Sequence, residues 1–335
     1  MSTKLLLVTP TFHDYWRSIA EAFATRGYEV SVCRYDEFAT GWDKAGNKLR
    51  HELPERLGRG SRAGVRSRFT ARAREAVTST RPDVVVTVKG DLLDAAFFDA
   101  VDQVTHRHVL WLYDELRRTA HTEASLVRPA AIASYSPQDV QALITGGHTA
   151  AYVPLAFDPG YVPGRGVRTP DVTFVGARYP GREAVLGGLA RHGIPVTAYG
   201  RQWSHHPFDR LRTWQWQRPE LPAGRDLDRP DAYAVMADSL ATLNIHGDQD
   251  GFTVRTFEAC GVGALQLIDR VDVGQLYEPG IELLTFTGVD DLVDLHARVV
   301  ADPTWAESIR EAGHQRTLAD HTFVHRAEAL EALWG

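Results

Sequence analysis

Short, largely apolar runs without alternation recur along this chain, and most end in polar residues. Residues 5–8 (Leu-Leu-Leu-Val), 82–89 (with Asp-Val-Val-Val-Thr-Val), 108–113 (His-Val-Leu-Trp-Leu-Tyr) and 129–134 are the main runs of the first half. A strand without alternation is buried on both faces, the condition of a parallel sheet covered by helices. Residues 16–26 have helical apolar spacing that ends at Gly27, and residues 28–34 return to a strand. This β-α-β opening predicts right-handed crossovers in an α/β fold. A second series of runs starts at 171–175 and continues at 196–199, 241–246 and 264–268. Between the series, 158–170 has the proline and glycine density of a linker. At 335 residues the chain is too long for one core and suits two domains of about 150 residues each.

Composition removes several functions. Hydrophobic content of 44% and charged content of 24% are ordinary for a soluble globular protein. No apolar run approaches the roughly 18 residues that span a bilayer. The first residues lack a cleavable signal pattern and read as a strand. Cys33 and Cys260 lie far apart in apolar contexts, as expected of two buried reduced thiols in a cytoplasmic protein. A net charge of −6 argues against a nucleic-acid binder. No lysine occurs after Lys89, so a cation meeting a phosphate in the later half is Arg or His, and no Schiff-base lysine is available there.

The stretch with the most chemistry is 243–261, Leu-Asn-Ile-His-Gly-Asp-Gln-Asp-Gly-Phe-Thr-Val-Arg-Thr-Phe-Glu-Ala-Cys-Gly. It reads as a strand end, a polar loop and an amphipathic helix closed by glycine. A loop delivered onto a helix N-terminus suits an anion, because backbone N–H groups point out of that end. Asp250 and Glu258 bracket the turn. The Asp-x7-Glu spacing resembles the Glu-x7-Glu signature of retaining GT-B glycosyltransferases, with Asp in first place. The words Asn-Ile-His and Arg-Thr-Phe-Glu-Ala-Cys-Gly, followed by a buried strand and Leu-Tyr-Glu-Pro-Gly, more closely resemble the CgeB-like (spore-maturation-type) glycosyltransferases. So do the Val-Gly-Ala-Arg turn at 175–178 and the Tyr-Gly-x-x-Trp turn at 199–203.

The resemblance implies a GT-B fold, two Rossmann-like parallel-sheet domains facing a cleft. The acceptor domain would span 1–157 and the nucleotide-sugar domain 171–318. Residues 319–335 would form a helix crossing back to the first domain. It implies transfer of a sugar from a nucleoside-diphosphate sugar to an acceptor hydroxyl of a small molecule, glycan or lipid. No metal, cofactor or nucleic acid is implied, and membrane contact is peripheral at most. A carboxylate accepts two hydrogen bonds from a vicinal diol, so Glu258 suits the ribose and Asp250 the transferred sugar. Backbone N–H groups of Gly251, Phe252, Thr253 and Val254 would meet phosphate or sugar oxygens. Arg178, beside Gly176 in the first turn, Arg201 and Arg255 are cations for the diphosphate. Arg255, three residues before Glu258, also suits an ion pair with it. Trp203 suits stacking on the base or packing, and His246 a contact to phosphate or sugar.

In the first domain, His13 is a candidate for deprotonating the acceptor, or a helix-capping loop residue. Asp114, after the 108–113 run, would orient the acceptor or stiffen a loop. The arginine-rich segment 56–74 reads as a solvated helix face or as a groove for an anionic acceptor. Asp226-Leu227-Asp228 and Asp248-Gln249-Asp250 match a metal-binding Asp-x-Asp, and His205-His206 lacks ligand spacing; none is read as a metal site. No Gly-x-Gly-x-x-Gly follows the first strand, and no Gly-x-Ser-x-Gly elbow occurs. An epimerase on the same fold and a non-catalytic sugar-nucleotide or glycan binder are the competing readings. Residues 204–230 read as a long loop, and a helix over 305–312 stops at Gly313.

Overall fold

The computed structural model of the chain describes residues 2–37, 63–161 and 166–334. Arg56, Arg59 and Arg62 of the basic segment lie outside them. Two compact units form, one from the N-terminus to Pro154 together with the residues from Phe323 on, the other Leu155–Thr322.

The first unit begins with β1 (Lys4–Thr9), α1 (Tyr15–Thr25), β2 (Glu29–Arg34), α2 (Ala63–Thr80) and β3 (Val84–Val88). It continues with α3 (Ala95–Asp102), β4 (His108–Leu112), the one-turn α4 (Glu123–Leu126), β5 (Ala131–Ser134), α5 (Pro137–Thr145) and β6 (Ala150–Tyr152). All pairings are parallel, in the order β2-β1-β3-β4-β5-β6. Every residue of β3 and β4 is buried, the two-sided burial that the unbroken apolar runs require. His108 is the polar exception in β4. Its Nε2 meets Thr87 Oγ1 at 2.9 Å, and the rings of Phe97 and Phe98 close around it. On α2, Phe69, Ala73 and Val77 face the core. Arg66 and Arg72 of the same helix donate to backbone carbonyls of Asp91 and Arg34, while Arg68 and Arg74 are exposed.

The second unit contains β7 (Val172–Val175), α6 (Pro180–Arg191), β8 (Val196–Tyr199), α7 (Pro207–Thr213), β9 (Ala223–Gly224) and α8 (Arg229–Asp238). It goes on through β10 (Ala241–Asn244), α9 (Val254–Gly261), β11 (Gln266–Ile268), β12 (Leu284–Thr285), α10 (Val289–Ala301) and α11 (Pro303–Asp320). Its sheet is parallel in the order β12-β11-β10-β7-β8-β9. The chain leaves β7 towards β8 and β9, then returns to the other side of β7 for β10, β11 and β12. That reversal opens a crevice at the carboxyl ends of β7 and β10, where such sheets hold ligands.

Two expectations change. Residues 204–230 are not one loop: α7 forms there, with Pro207 at its first position and His206 Nδ1 accepting from Phe208 N at 3.2 Å. Gly313 does not end a helix. It lies buried inside α11, and a Cβ there would run into the carbonyl of Glu282. The glycine is required for close approach rather than for termination.

The last helix, α12 (Phe323–Glu331), belongs to the first unit and packs on α1. Phe323 lies beside Tyr15 and Trp334 beside Phe23, with ring centroids 6.1 and 5.9 Å apart. Glu331 accepts from Arg26 Nε at 2.6 Å and from Tyr28 Oη at 2.9 Å.

Candidate functional site

At the carboxyl edge of the second sheet, the turns after β7 and β8 are tied together. Gly176 N donates to Tyr199 O at 3.0 Å, and Gln202 Oε1 accepts from Arg178 N at 3.0 Å. Gly200, at φ +150°, presses so near that a Cβ would stand 2.7 Å from Gly176 O. Trp203 is 1% exposed and its Nε1 donates to Gly176 O at 2.9 Å. The indole therefore packs and holds this turn; it offers no face for base stacking.

The loop after β10 is fixed from two sides. Both carboxylate oxygens of Asp269, just after β11, accept from His246 N, and Oδ1 also meets His246 Nδ1 at 2.9 Å. That contact to a carboxylate places a ring proton on Nδ1. Nε2 is buried and has no hydrogen-bond partner among the described residues. Phe252 sets its ring edge against His246 at 5.7 Å, and the Arg270 guanidinium stacks on Phe252 at 4.4 Å. Arg270 donates to the carbonyls of Gln249 at 3.1 Å and Asp250 at 2.8 Å. Hydrogen bonds that it donates to Asp272 hold that guanidinium and push its pKa up. Asp250 itself is half-buried in this loop, and Gly247 and Asp248 are exposed.

On the other side, Arg182 in the first turn of α6 donates to Ile245 O at 2.8 Å and to Ala177 O at 2.9 Å. One side chain thus joins the β7 turn to the β10 loop. Its plane also lies over the rings of Phe174 and Tyr179. Burial lowers the Arg182 pKa, and the charge of Arg255 lowers it further. Asp269 acts on Arg182 in the opposite sense, and Arg255 is itself paired with Glu258.

α9 starts at Val254 with Thr253 in extended conformation at its N-cap and no side-chain cap bond. Asn244 ties this helix to the sheet, donating to Thr256 Oγ1 and Gln266 Oε1, both at 2.9 Å. Glu258 is 1% exposed. Its Oε1 accepts from Tyr233 Oη at 3.1 Å, and its Oε2 pairs with Arg255 Nη1 at 2.7 Å. Glu258 is thus committed inside the unit, and a ribose diol would have to displace the Arg255 contact. Arg178 pairs with Glu183 at 2.8 Å and donates to Gln217 O at 3.1 Å. Arg201 pairs with Asp226 at 2.5 Å. Asp228 accepts from Asp231 N as the N-cap of α8. Among the described residues no three His, Cys, Asp or Glu side chains converge as metal ligands.

The structure brings together Gly176, Arg178, His246, Asp250, Gly251, Phe252, Thr253, Val254, Arg255 and Glu258 on the loops and helix start around one sheet edge, with Arg201 and Trp203 on the adjoining turn. Sequence reasoning missed Arg182, Asp269 and Arg270. The last two follow directly on the buried run 264–268, at the edge where ligands bind, and that position was the available signal.

In the first unit the strand order also reverses, between β1 and β3. A cavity of about 300 Å³ lies at that edge, lined by Thr9, Phe12, Tyr15, Tyr35, Lys89 and Asp114 among others. Asp114 forms an ion pair with Lys89. The Lys89 backbone is left-handed at φ 64°, and its carbonyl accepts from His121 Nε2 at 2.7 Å. His13 is exposed and does not line this cavity. It too is left-handed, at φ 46°, with its ring 4.2 Å from that of Phe12.

Residues 182–332 match the family described as glycosyl transferase-like. None of the curated proteins matches the sequence. Solved structures share the fold across the chain length. Sucrose-phosphate synthase from Thermosynechococcus elongatus has a TM-score of 0.66 at 14% identity, covering 99% of this chain and 98% of that one. HepE from Anabaena, in complex with UDP-glucose, has a TM-score of 0.66 at 13% identity, covering 98% of each chain. An alpha-glucosyltransferase in complex with UDP-glucose and abasic DNA has a TM-score of 0.68 at 12% identity, covering 99% of this chain and 100% of that one. The two parallel six-stranded sheets with interleaved helices are thus the GT-B fold.

Proposed function

We propose that the chain is a glycosyltransferase of the CgeB-like type, which takes a nucleoside-diphosphate sugar in its second unit and an acceptor hydroxyl in its first. The observation that carries this reading is the sheet edge where Arg182 bonds Ala177 O and Ile245 O, next to the loop that runs into α9, whose N-terminus has no side-chain cap. A diphosphate is the anion with the charge and reach to sit there. As the glycosidic bond to it breaks, negative charge grows on the leaving phosphate, and fixed cations stabilise that charge without reorganising. The match of residues 182–332 to a glycosyl transferase-like family supports the same chemistry.

His246, with a proton on Nδ1, presents Nε2 to a sugar hydroxyl once Phe252 moves aside. Asp250 serves the transferred sugar, and transfer retains configuration. Asp114, set by Lys89, orients the acceptor hydroxyl in the first-unit cavity. Charge neutralisation by arginine makes a metal ion unnecessary.

Calorimetric titration with UDP, GDP and TDP tests the reading. The preferred nucleotide should lose about 10- to 150-fold in affinity in Arg182→Ala, the worth of hydrogen bonds between charged partners. Unchanged affinity in both Arg182→Ala and Arg255→Ala, with the fold intact, overturns it.

A further inference from the structure

The cavity of about 300 Å³ at the carboxyl edge of the first sheet is walled mostly by rings and aliphatic groups. Phe12, Tyr15, Tyr35 and Tyr113 supply the rings, and Ile19 and Leu92 aliphatic walls. Tyr15 and Tyr35 are 7% and 1% exposed, whereas Phe12 keeps 59% of its surface in solvent and so stands at the opening. The Tyr15 ring lies 6.2 Å from that of Phe12 and 6.5 Å from that of Tyr113, both pairs tilted. At such spacings a further ring packs by offset or edge contact. The backbone around the cavity is strained. His13 and Asp14, between Phe12 and Tyr15, and Lys89 have positive φ, three of the five non-glycine residues that do so among the described residues. Strain of this kind collects where a ligand is held.

Besides the tyrosines, four lining side chains are polar, and most of their groups are committed. Thr9 Oγ1 donates to Pro10 O at 3.2 Å, and Asp36 Oδ1 accepts from Thr11 N at 2.8 Å. Lys89 pairs with Asp114 through Oδ2, and among the described residues nothing bonds Asp114 Oδ1. The lining thus sets two carboxylates, Asp36 and Asp114, against one cation. Two further charges stand near it and are of opposite sign, Asp91 and the Arg66 that donates to its carbonyl at 3.0 Å. At the Tyr35 hydroxyl the carboxylates prevail. Burial raises its pKa, and the charges of Asp91 and Asp36 raise it further.

We infer that this cavity takes a planar aromatic compound bearing a hydroxyl and, resting on the transferase reading above, that such a phenol is the acceptor. Walls made of rings favour a flat ring over a saturated one of the same size. A sugar would bury several hydroxyls against phenyl and aliphatic groups, and each hydroxyl left unpaired is costly. The excess of carboxylates repels a phosphate or carboxylate. The volume lies at the small end of ligand sites and suits a small ring system. Asp114 Oδ1 is placed to accept from the phenolic hydroxyl, a charge-assisted bond. No described lining residue is a histidine, and a phenol, which loses its proton near pH 10, asks least of a carboxylate base. In transfer the phenolic oxygen bonds the anomeric carbon. The bond from that carbon to the diphosphate breaks with its electron pair on the phosphate oxygen, and the phenolic proton passes by way of Asp114 to solvent.

Calorimetric titration of the full chain at neutral pH, without sugar nucleotide, tests it. The probes are 2-naphthol, decahydro-2-naphthol, 2-naphthyl phosphate and methyl glucoside. 2-Naphthol should bind about fivefold or more tighter than its saturated counterpart, and tighter than the phosphate and the glucoside. Phe12→Ala, a change at an exposed ring, should weaken 2-naphthol about fivefold. Asp114→Asn should weaken it about tenfold and strengthen the phosphate, because Lys89 loses its partner. Circular dichroism checks each fold. Equal affinity for the flat and saturated rings, preference for the phosphate or the glucoside, or unchanged 2-naphthol affinity in both folded variants overturns the inference. Titration with UDP, GDP and TDP separates it from the reading it rests on. If a nucleotide binds and 2-naphthol does not, this inference alone fails. If 2-naphthol binds in the expected pattern and no nucleotide does, the transferase reading fails and the ring site stands.

Discussion

Glu258 separates a ligand-binding role from a structural one. Replacing it by Gln keeps the volume and an acceptor for Tyr233, and removes the charge that holds Arg255. Replacing it by Ala also leaves the hydroxyl of Tyr233, 0% exposed, without its acceptor. Losing that buried hydrogen bond to a carboxylate costs about 1–3 kcal/mol. The Arg255 side chain is 23% exposed, so it can turn to water, and the lost ion pair adds at most about 1 kcal/mol. Glu258→Ala should therefore destabilise the second unit by about 1–4 kcal/mol. At roughly 2–4 °C per kcal/mol for a unit of this size, its calorimetric transition falls by about 2–16 °C. Glu258→Gln should lose about 1 kcal/mol or less. Binding then decides the role. If the carboxylate takes the ribose diol, Glu258→Gln loses about 2–3 kcal/mol for UDP, roughly 30- to 150-fold, and nothing for a dideoxyribose analogue. If the carboxylate only aims Arg255 at the diphosphate, both ligands weaken alike. Equal affinity of wild type and the folded Gln variant for UDP would refute any part for Glu258 in the site.

Two further outcomes follow from the packing. Burial pushes the His108 pKa down to about 4 from its ordinary 6.5. The unfolded chain thus takes up its proton first, and stability, complete above about pH 6.5, is lost as pH falls towards 4, by about 3 kcal/mol in all. In His108→Phe this part of the acid limb should flatten in urea unfolding followed against pH, and an unchanged limb refutes the assignment. Gly200→Ala forces a Cβ to 2.7 Å from Gly176 O at φ +150°, whereas Gly193→Ala, at φ +74°, meets nothing within 4 Å. Both should lose about 1–3 kcal/mol of stability. Only Gly200→Ala should lose nucleotide affinity in titration, and equal affinities would show that the β7 turn does not form the site.

The sheets were legible because burial on both faces writes itself into sequence as unbroken apolar runs. Helices whose boundaries rest on unusual chemistry were not. α7 is capped by a histidine and carries Phe208 and Leu211 outward, so its periodicity points away from any core. α11 runs through Gly313, a residue that reads as a stop unless the neighbouring Glu282 carbonyl is known. The 243–261 stretch was legible as strand, loop and helix, and the Arg255–Glu258 pair from its spacing of three. The Tyr233 hydroxyl that donates to Glu258 lies 25 residues away and left no local sign.

The hidden part of the site has one physical cause. Arg182 and Arg270 bind backbone carbonyls, those of Ala177, Ile245, Gln249 and Asp250, and a carbonyl has no residue identity to read. The absence of lysine after Lys89 takes its meaning from the same contacts. An ammonium is a compact point charge, whereas a planar guanidinium can bond two diverging carbonyls with separate nitrogens while its face rests on a ring. Arg182 does this between the β7 turn and the β10 loop, and Arg270 does it within the β10 loop. Each fixes its loop, and the charge of Arg270 is balanced by Asp272. Substituting either by Lys would keep the charge and release the loop, so the geometry of the crevice, rather than its charge alone, is what the arginines supply.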